Sequence, residues 1–68
     1  GMNLRKEGNT IIVTGAKGKE LTIYDVSGRL IRRETIDSAK YSMSLDKMKA
    51  GIYIMKIDSI AKKIRVEL

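Results

Sequence analysis

Three short stretches of this 68-residue chain carry residue types that catalysis uses: Asp37-Ser38, Asp58-Ser59 and the loop Gly15-Ala16-Lys17-Gly18-Lys19-Glu20. A serine becomes a nucleophile only beside a base, and histidine is the commonest base. The chain has no histidine and no cysteine, so the usual bases, nucleophiles and transition-metal ligands are missing together. Nothing in the spacing sets a base beside Ser38 or Ser59. An Asp-Ser pair between two strand-like runs instead caps its own turn. The other carboxylates, Glu20, Asp25 and Asp46 among them, are scattered, and no Asp-x-Asp-x-Asp spacing offers a calcium loop. The pattern predicts a non-enzymatic chain with no catalytic residue, no metal site and no cofactor.

The glycine–lysine loop shares composition with a phosphate-binding loop but not its spacing. That motif needs four residues between its glycines and a Ser or Thr after the lysine. Here only Ala16 and Lys17 separate Gly15 from Gly18, and Glu20 follows Lys19. A strand-like run comes next, so no helix N-terminus is available to face an anion.

Fourteen Lys+Arg against eight Asp+Glu leave a net charge of +6, which favours anionic partners in general. The basic residues are spread as Arg5-Lys6, Arg32-Arg33, Lys47, Lys49 and Lys62-Lys63, with none of the long like-charge blocks of a nucleic-acid tail. A solvated, solubilising surface accounts for them. Stacking on nucleic acid would need exposed aromatics, yet Tyr41 and Tyr53 lie in apolar patterns that bury them, leaving Tyr24 alone. No nucleic-acid partner is expected. No apolar stretch is long enough to span a membrane and no segment forms a basic amphipathic helix, so no membrane insertion is expected either. Gly1 before Met2 reads as an expression-tag scar, which places the domain at residues 3–68. With no leader of its own, the chain is expected to be a piece of a longer protein or to stay in the cytoplasm.

The elements that must position these residues are strands. Apolar residues recur at spacing two, in short runs bounded by Gly, Asp, Asn and Ser. Thr10–Val13, Leu21–Val26, Arg29–Ile36, Tyr41–Leu45, Ile52–Asp58 and Lys62–Leu68 read as strands, and Asn3–Lys6 as a weaker seventh. Turn signals fall between them; Ser27-Gly28 marks the clearest, a tight hairpin in which Gly28 takes positive φ. Tyr41, Met43 and Leu45 alternate with Ser42 and Ser44, and Ile64, Val66 and Leu68 with Lys63, Arg65 and Glu67, as half-buried strands do. Ile52-Tyr53-Ile54-Met55 is apolar on both sides and predicts a central strand covered on both faces. Asp46–Ala50 predicts one helical turn that dips Met48 into the core. The sum is a small all-β sandwich of six to seven antiparallel strands. Without Phe, Trp or Cys its core is slight, which points to a larger neighbour or partner.

Three pieces, in order, resemble the C-terminal sorting domain of the type IX (Por) secretion system. Leu21-Thr22-Ile23-Tyr24-Asp25-Val26-Ser27-Gly28-Arg29-Leu30-Ile31 is similar to the family's strand, Tyr-Asp, short turn, Gly, basic residue and second strand. Met43-Ser44-Leu45 with Met48-Lys49-Ala50-Gly51-Ile52-Tyr53-Ile54-Met55-Lys56-Ile57 resembles its Leu-x-x-Gly-hydrophobic-Tyr-hydrophobic strand. Lys62-Lys63-Ile64-Arg65-Val66-Glu67-Leu68 resembles its closing strand of lysines and alternating apolar residues. Together they cover residues 10–68.

The resemblance implies an immunoglobulin-like β-sandwich at the end of secreted Bacteroidetes proteins, an address label for cargo exported through the periplasm to the cell surface or beyond. Its implied partners are an outer-membrane translocon and a cell-surface peptidase. Gly51, Tyr53, Lys62, Lys63, Ile64, Val66 and Leu68 are its candidate sorting determinants, and Ser27 and Gly28 its structural turn. The family usually opens with Tyr-Pro-Asn-Pro as its first strand, whereas this chain has no proline. A first strand that is truncated, diverged or absent is therefore expected, with an open sheet edge suited to homodimer formation. The alternatives are a generic immunoglobulin-like adhesion or accessory module and, behind it, a small basic nucleic-acid binder.

Overall fold

A computed structural model describes all 68 residues, Gly1–Leu68, as seven β-strands with no helix. They are β1 (Asn3–Glu7), β2 (Thr10–Thr14), β3 (Glu20–Asp25), β4 (Leu30–Thr35), β5 (Lys40–Ser44), β6 (Gly51–Ile57) and β7 (Ile60–Val66). The runs rich in Ile, Val, Thr and Tyr become strands because such side chains suit a pleated, half-buried surface. All pairs are antiparallel. One sheet has the order β1-β2-β5 and the other β4-β3-β6-β7.

The alternation seen in the sequence sets the layers. Ile11 and Val13 of β2 and Met43 of β5 face Leu21 and Ile23 of β3 and Tyr53, Met55 and Ile57 of β6 in one buried cluster. Ile64 and Val66 complete it from β7. Ile36, buried with no exposed surface, fills the crossover from β4 to β5, and Ala16 fills that from β2 to β3. The two crossovers are laced together: the amides of Gly15 and Gly18 donate to the carbonyls of Ala39 and Ile36 at 3.1 and 2.8 Å. Those are the amides a phosphate-binding loop would offer, and here carbonyls already occupy them.

Four expectations change in detail. The first strand is present: β1 pairs with β2 from Asn3↔Thr14 to Glu7↔Thr10, so it has diverged in sequence without being lost. The edge expected to stand open beside β2 is filled, and the exposed edges are β1, β5, β4 and β7. Asp46–Ala50 contains a turn closed by the Met48 amide on the Leu45 carbonyl at 2.9 Å, without a helix; Met48 does pack on the core. Finally, β6 is interior to its sheet but covered on one face only. Tyr53, Met55 and Ile57 point inward, which by strand alternation puts Ile52, Ile54 and Lys56 on the outer face.

Candidate functional site

The C-terminal hairpin β6–β7 carries most of the expected determinants. Its register runs from Gly51↔Val66 to Ile57↔Ile60, leaving a two-residue turn at Asp58-Ser59. Asp58 adopts φ +52°, a left-handed conformation that aspartate tolerates better than most residues. Its carboxylate also receives Lys19 Nζ at 2.5 Å, tying the hairpin tip to the β2–β3 crossover. Gly51 enters β6 at φ +154°, where a Cβ would meet open space, so the backbone conformation alone calls for glycine. Two residues on, Tyr53 lays its ring in the core and its hydroxyl donates to the Lys49 carbonyl at 2.7 Å, fixing the β5–β6 connection.

The structure divides the expected determinants into two sets. Tyr53, Ile64 and Val66 are 8%, 5% and 2% exposed, so a docking partner cannot touch most of their surface. Tyr53 lies directly across from Ile64, and Gly51 from Val66, so this set holds the hairpin's inner face. Gly51, Lys62, Lys63 and Leu68 are exposed. Lys62 and Lys63 do not form one cluster: Lys63 is opposite Ile54 on the outer face, whereas Lys62 is opposite Met55 in the inward-facing phase.

Charge is unevenly neutralised. Ion pairs join Arg5–Glu7, Lys19–Asp58, Arg29–Asp25, Arg32–Glu34 and Arg33–Glu20. On the C-terminal hairpin Lys56, Lys62, Lys63 and Arg65 belong to none of these pairs, and the hairpin's single acid, Asp58, is already engaged. All four cations of this hairpin thus lie outside the ion pairs, as do Lys6, Lys17, Lys40, Lys47 and Lys49 elsewhere on the surface.

The turn at Ser27 and Gly28 is built as expected around Gly28, at φ +90°. Its organiser is Asp25, which in the sequence looks like one of several scattered carboxylates. Asp25 Oδ1 accepts from the Ser27 hydroxyl at 2.7 Å and from the Ser27 and Arg29 amides at 3.0 Å each. The Ser27 hydroxyl bond, followed by that of the Arg29 amide, holds the Asp25 carboxyl below its ordinary value of 3.8. The signal was present as Asp-x-x-Gly, aspartate at the first and glycine at the fourth position of a type I turn. Asn9 is a second residue that sequence reading passes over as mere turn. Its side chain bonds both backbone groups of Glu67, just past β7, and its own carbonyl accepts from Leu45 N at 2.7 Å.

Of the tyrosines, Tyr53 is buried and Tyr41 is half-buried against the core, where desolvation, with Glu34 adding to it, raises its phenol pKa. Tyr24 stands on the outer face of the four-stranded sheet with Lys56 Nζ 5.3 Å from its ring centre. A single open ring gives nucleic acid one stacking platform. No three His, Cys, Asp or Glu side chains gather to hold a metal ion. Every buried side-chain polar atom has a hydrogen-bond partner.

A family model described as the secretion system C-terminal sorting domain matches residues 5–68. No curated protein and no solved structure gives a significant match.

Proposed function

Since this chain belongs to the family of type IX secretion-system C-terminal sorting domains, we propose that its C-terminal hairpin is the face an outer-membrane translocon reads. Domains of this family form the C-terminal part of proteins sent to the cell surface or the extracellular space, and they act by interacting with the secretion machinery. The observation that supports the hairpin as the contact is that all of its cations, Lys56, Lys62, Lys63 and Arg65, stand outside the ion pairs.

In this reading the determinants act in two ways. Lys62, Lys63 and Leu68 contact the partner, while Gly51, Tyr53, Ile64 and Val66 hold the hairpin in the shape that presents them. The domain is non-catalytic, an immunoglobulin-like module of a Bacteroidetes protein, and a cell-surface peptidase acts on it after transit. A homodimer through the exposed β4 edge is a further assembly of the same chain.

Fusing residues 3–68 behind a periplasmic reporter in a host with a type IX system tests the reading. The expected result is system-dependent export of the fusion, reduced by Lys62→Glu/Lys63→Glu. Retention of the unmodified fusion in the periplasm overturns it.

A further inference from the structure

The outer face of the four-stranded sheet carries apolar residues with no second layer over them, Leu30 exposed and Tyr24, Ile52 and Ile54 half-buried. Register places Leu30, Tyr24, Ile54 and Lys63 in one row across β4, β3, β6 and β7. Ile52 lies beside this row on β6, opposite Arg65, and Val26 projects from the β3–β4 turn with 77% of its surface exposed. Solvent-facing strand positions are usually polar, so aliphatic side chains across such a row mark a binding face.

Two depressions flank the Tyr24 ring and share it with Lys56. One, of about 380 Å³, is lined by Val26, Ile54, Gly28 and Asp25; the other is polar, lined by Thr22, Arg33, Glu20 and Asp58. All three carboxylates are already paired, Asp25 with Arg29, Glu20 with Arg33 and Asp58 with Lys19, whereas Lys56 is not. Cations bound the row on the other side: Lys63 and Arg65, neither in an ion pair. An apolar slot beside free cations complements a segment whose side chains are alternately apolar and acidic.

We propose that this face binds an extended, acidic segment of a partner protein, with an apolar side chain seated against Tyr24 and Ile54 and carboxylates on Lys56 and Lys63. The proposal deepens the sorting reading and rests on it for the identity of the partner as a component of the export machinery. A protein segment fits better than nucleic acid, because the face holds one aromatic ring among aliphatic side chains. It fits better than a lipid surface as well, because Val26 and Ile54 line a discrete slot beside Tyr24 with charged side chains around it.

Two arms test it. In the first, the labelled domain is titrated with an acetylated peptide of alternating aspartate and leucine and, separately, with its lysine-for-aspartate counterpart. The amide signals of Tyr24, Ile54, Lys56 and Lys63 should move with the acidic peptide only. Lys56→Glu/Lys63→Glu should weaken binding by about tenfold or more, as reversal of two contacting charges implies. The control Lys17→Glu/Lys40→Glu, with the same change in net charge away from the face, should leave it unchanged. No shift at millimolar peptide, equal loss in the control, or stronger shifts with oligothymidylate or phosphatidylglycerol vesicles overturns the proposal.

The second arm places the same variants in the reporter fusion. Loss of export in Lys56→Glu/Lys63→Glu but not in the control supports the proposal. Unchanged export in both overturns it and leaves the sorting reading standing. Failure of the unmodified fusion to be exported, with peptide binding intact, removes the sorting reading and leaves the face as a peptide-docking surface.

Discussion

The side-chain amide of Asn9 closes on both backbone polar groups of Glu67: Oδ1 accepts from its amide at 2.9 Å, and Nδ2 donates to its carbonyl. These residues are 58 apart in sequence, and the pair sews the β1–β2 turn of one sheet to the end of the last strand of the other. Each such bond contributes about 0.5–1.5 kcal/mol net. Asn9→Ala is therefore expected to lower stability by about 1–2 kcal/mol. The change should be local as well as global, with hydrogen exchange at the Glu67 amide accelerated more than at Ile23 in the core. Asn9→Asp keeps an acceptor for the Glu67 amide but loses the donor to its carbonyl, and should fall between the two. Denaturant midpoints and amide exchange check this; equal stability of Asn9→Ala and the unmodified chain would refute the clamp.

The Asp25 turn gives a pH dependence of definite sign. The carboxyl pKa is lower in the folded chain than in the unfolded one, chiefly through the Ser27 hydroxyl and the Arg29 amide. Its stabilising contribution is therefore complete above the unfolded value of 3.8 and is lost as pH falls through the lower folded value. Melting temperatures measured from neutral pH to about pH 2 should show the unmodified chain above Asp25→Asn in the neutral range. The gap should close at the acid end. A gap that widens on acidification contradicts the assignment.

Much of this architecture was legible because period-two alternation survives translation into layers almost unchanged. Met43, Ile64 and Val66 are buried while Ser42, Lys63 and Arg65 are not, as the pattern requires, but Leu68, which the same alternation buries, lies fully exposed past the end of β7 at Val66. Strand ends were less legible. The two-residue turn at Asp58-Ser59 lets β7 begin at Ile60, where Ile60 and Ala61 show no alternation to read. Apolar residues on both sides of β6 suggested two covered faces, yet pattern cannot distinguish a covered outer face from a docking one. The hydrogen bonds of Asp25 and Asn9 depend on side chains curling onto the backbone. For Asn9 the partner lies at the far end of the chain, beyond any local motif.

Tyr53 combines two functions that single substitutions separate. Tyr53→Phe removes the hydroxyl from the Lys49 carbonyl and keeps the buried ring, so a loss of about 0.5–1.5 kcal/mol is expected. Tyr53→Ala empties the site and should cost about 3–5 kcal/mol, comparable to the whole stability of so small a domain. The first variant should remain folded by circular dichroism and the second should not. A folded Tyr53→Ala would show that the core does not depend on this ring.

Gly28 and Gly51 both lie at positive φ, and an added Cβ would meet nothing within 4 Å at either. Any loss on substitution is therefore backbone strain and not a clash. Gly28→Ala and Gly51→Ala are expected to destabilise by about 1–3 kcal/mol each. A loss of export in Gly51→Ala at a temperature where the domain is fully folded would point to the shape of the β6 entry and not to stability.

The last strand is an edge, and an edge with free backbone groups recruits other strands unless charge discourages it. Lys62 and Lys63 are exposed on opposite phases of β7, so whichever face an approaching strand presents, it meets a lysine. Replacing them with valine raises β propensity and removes both charges. Lys62→Val/Lys63→Val should therefore retain or slightly raise the melting temperature while shifting the protein to dimers and larger species in size-exclusion chromatography. Lys62→Arg/Lys63→Arg should remain as the unmodified chain is. If the valine variant elutes unchanged at the same concentration, the lysines are not what keeps this edge to itself, and their unpaired charge is left to the export partner alone.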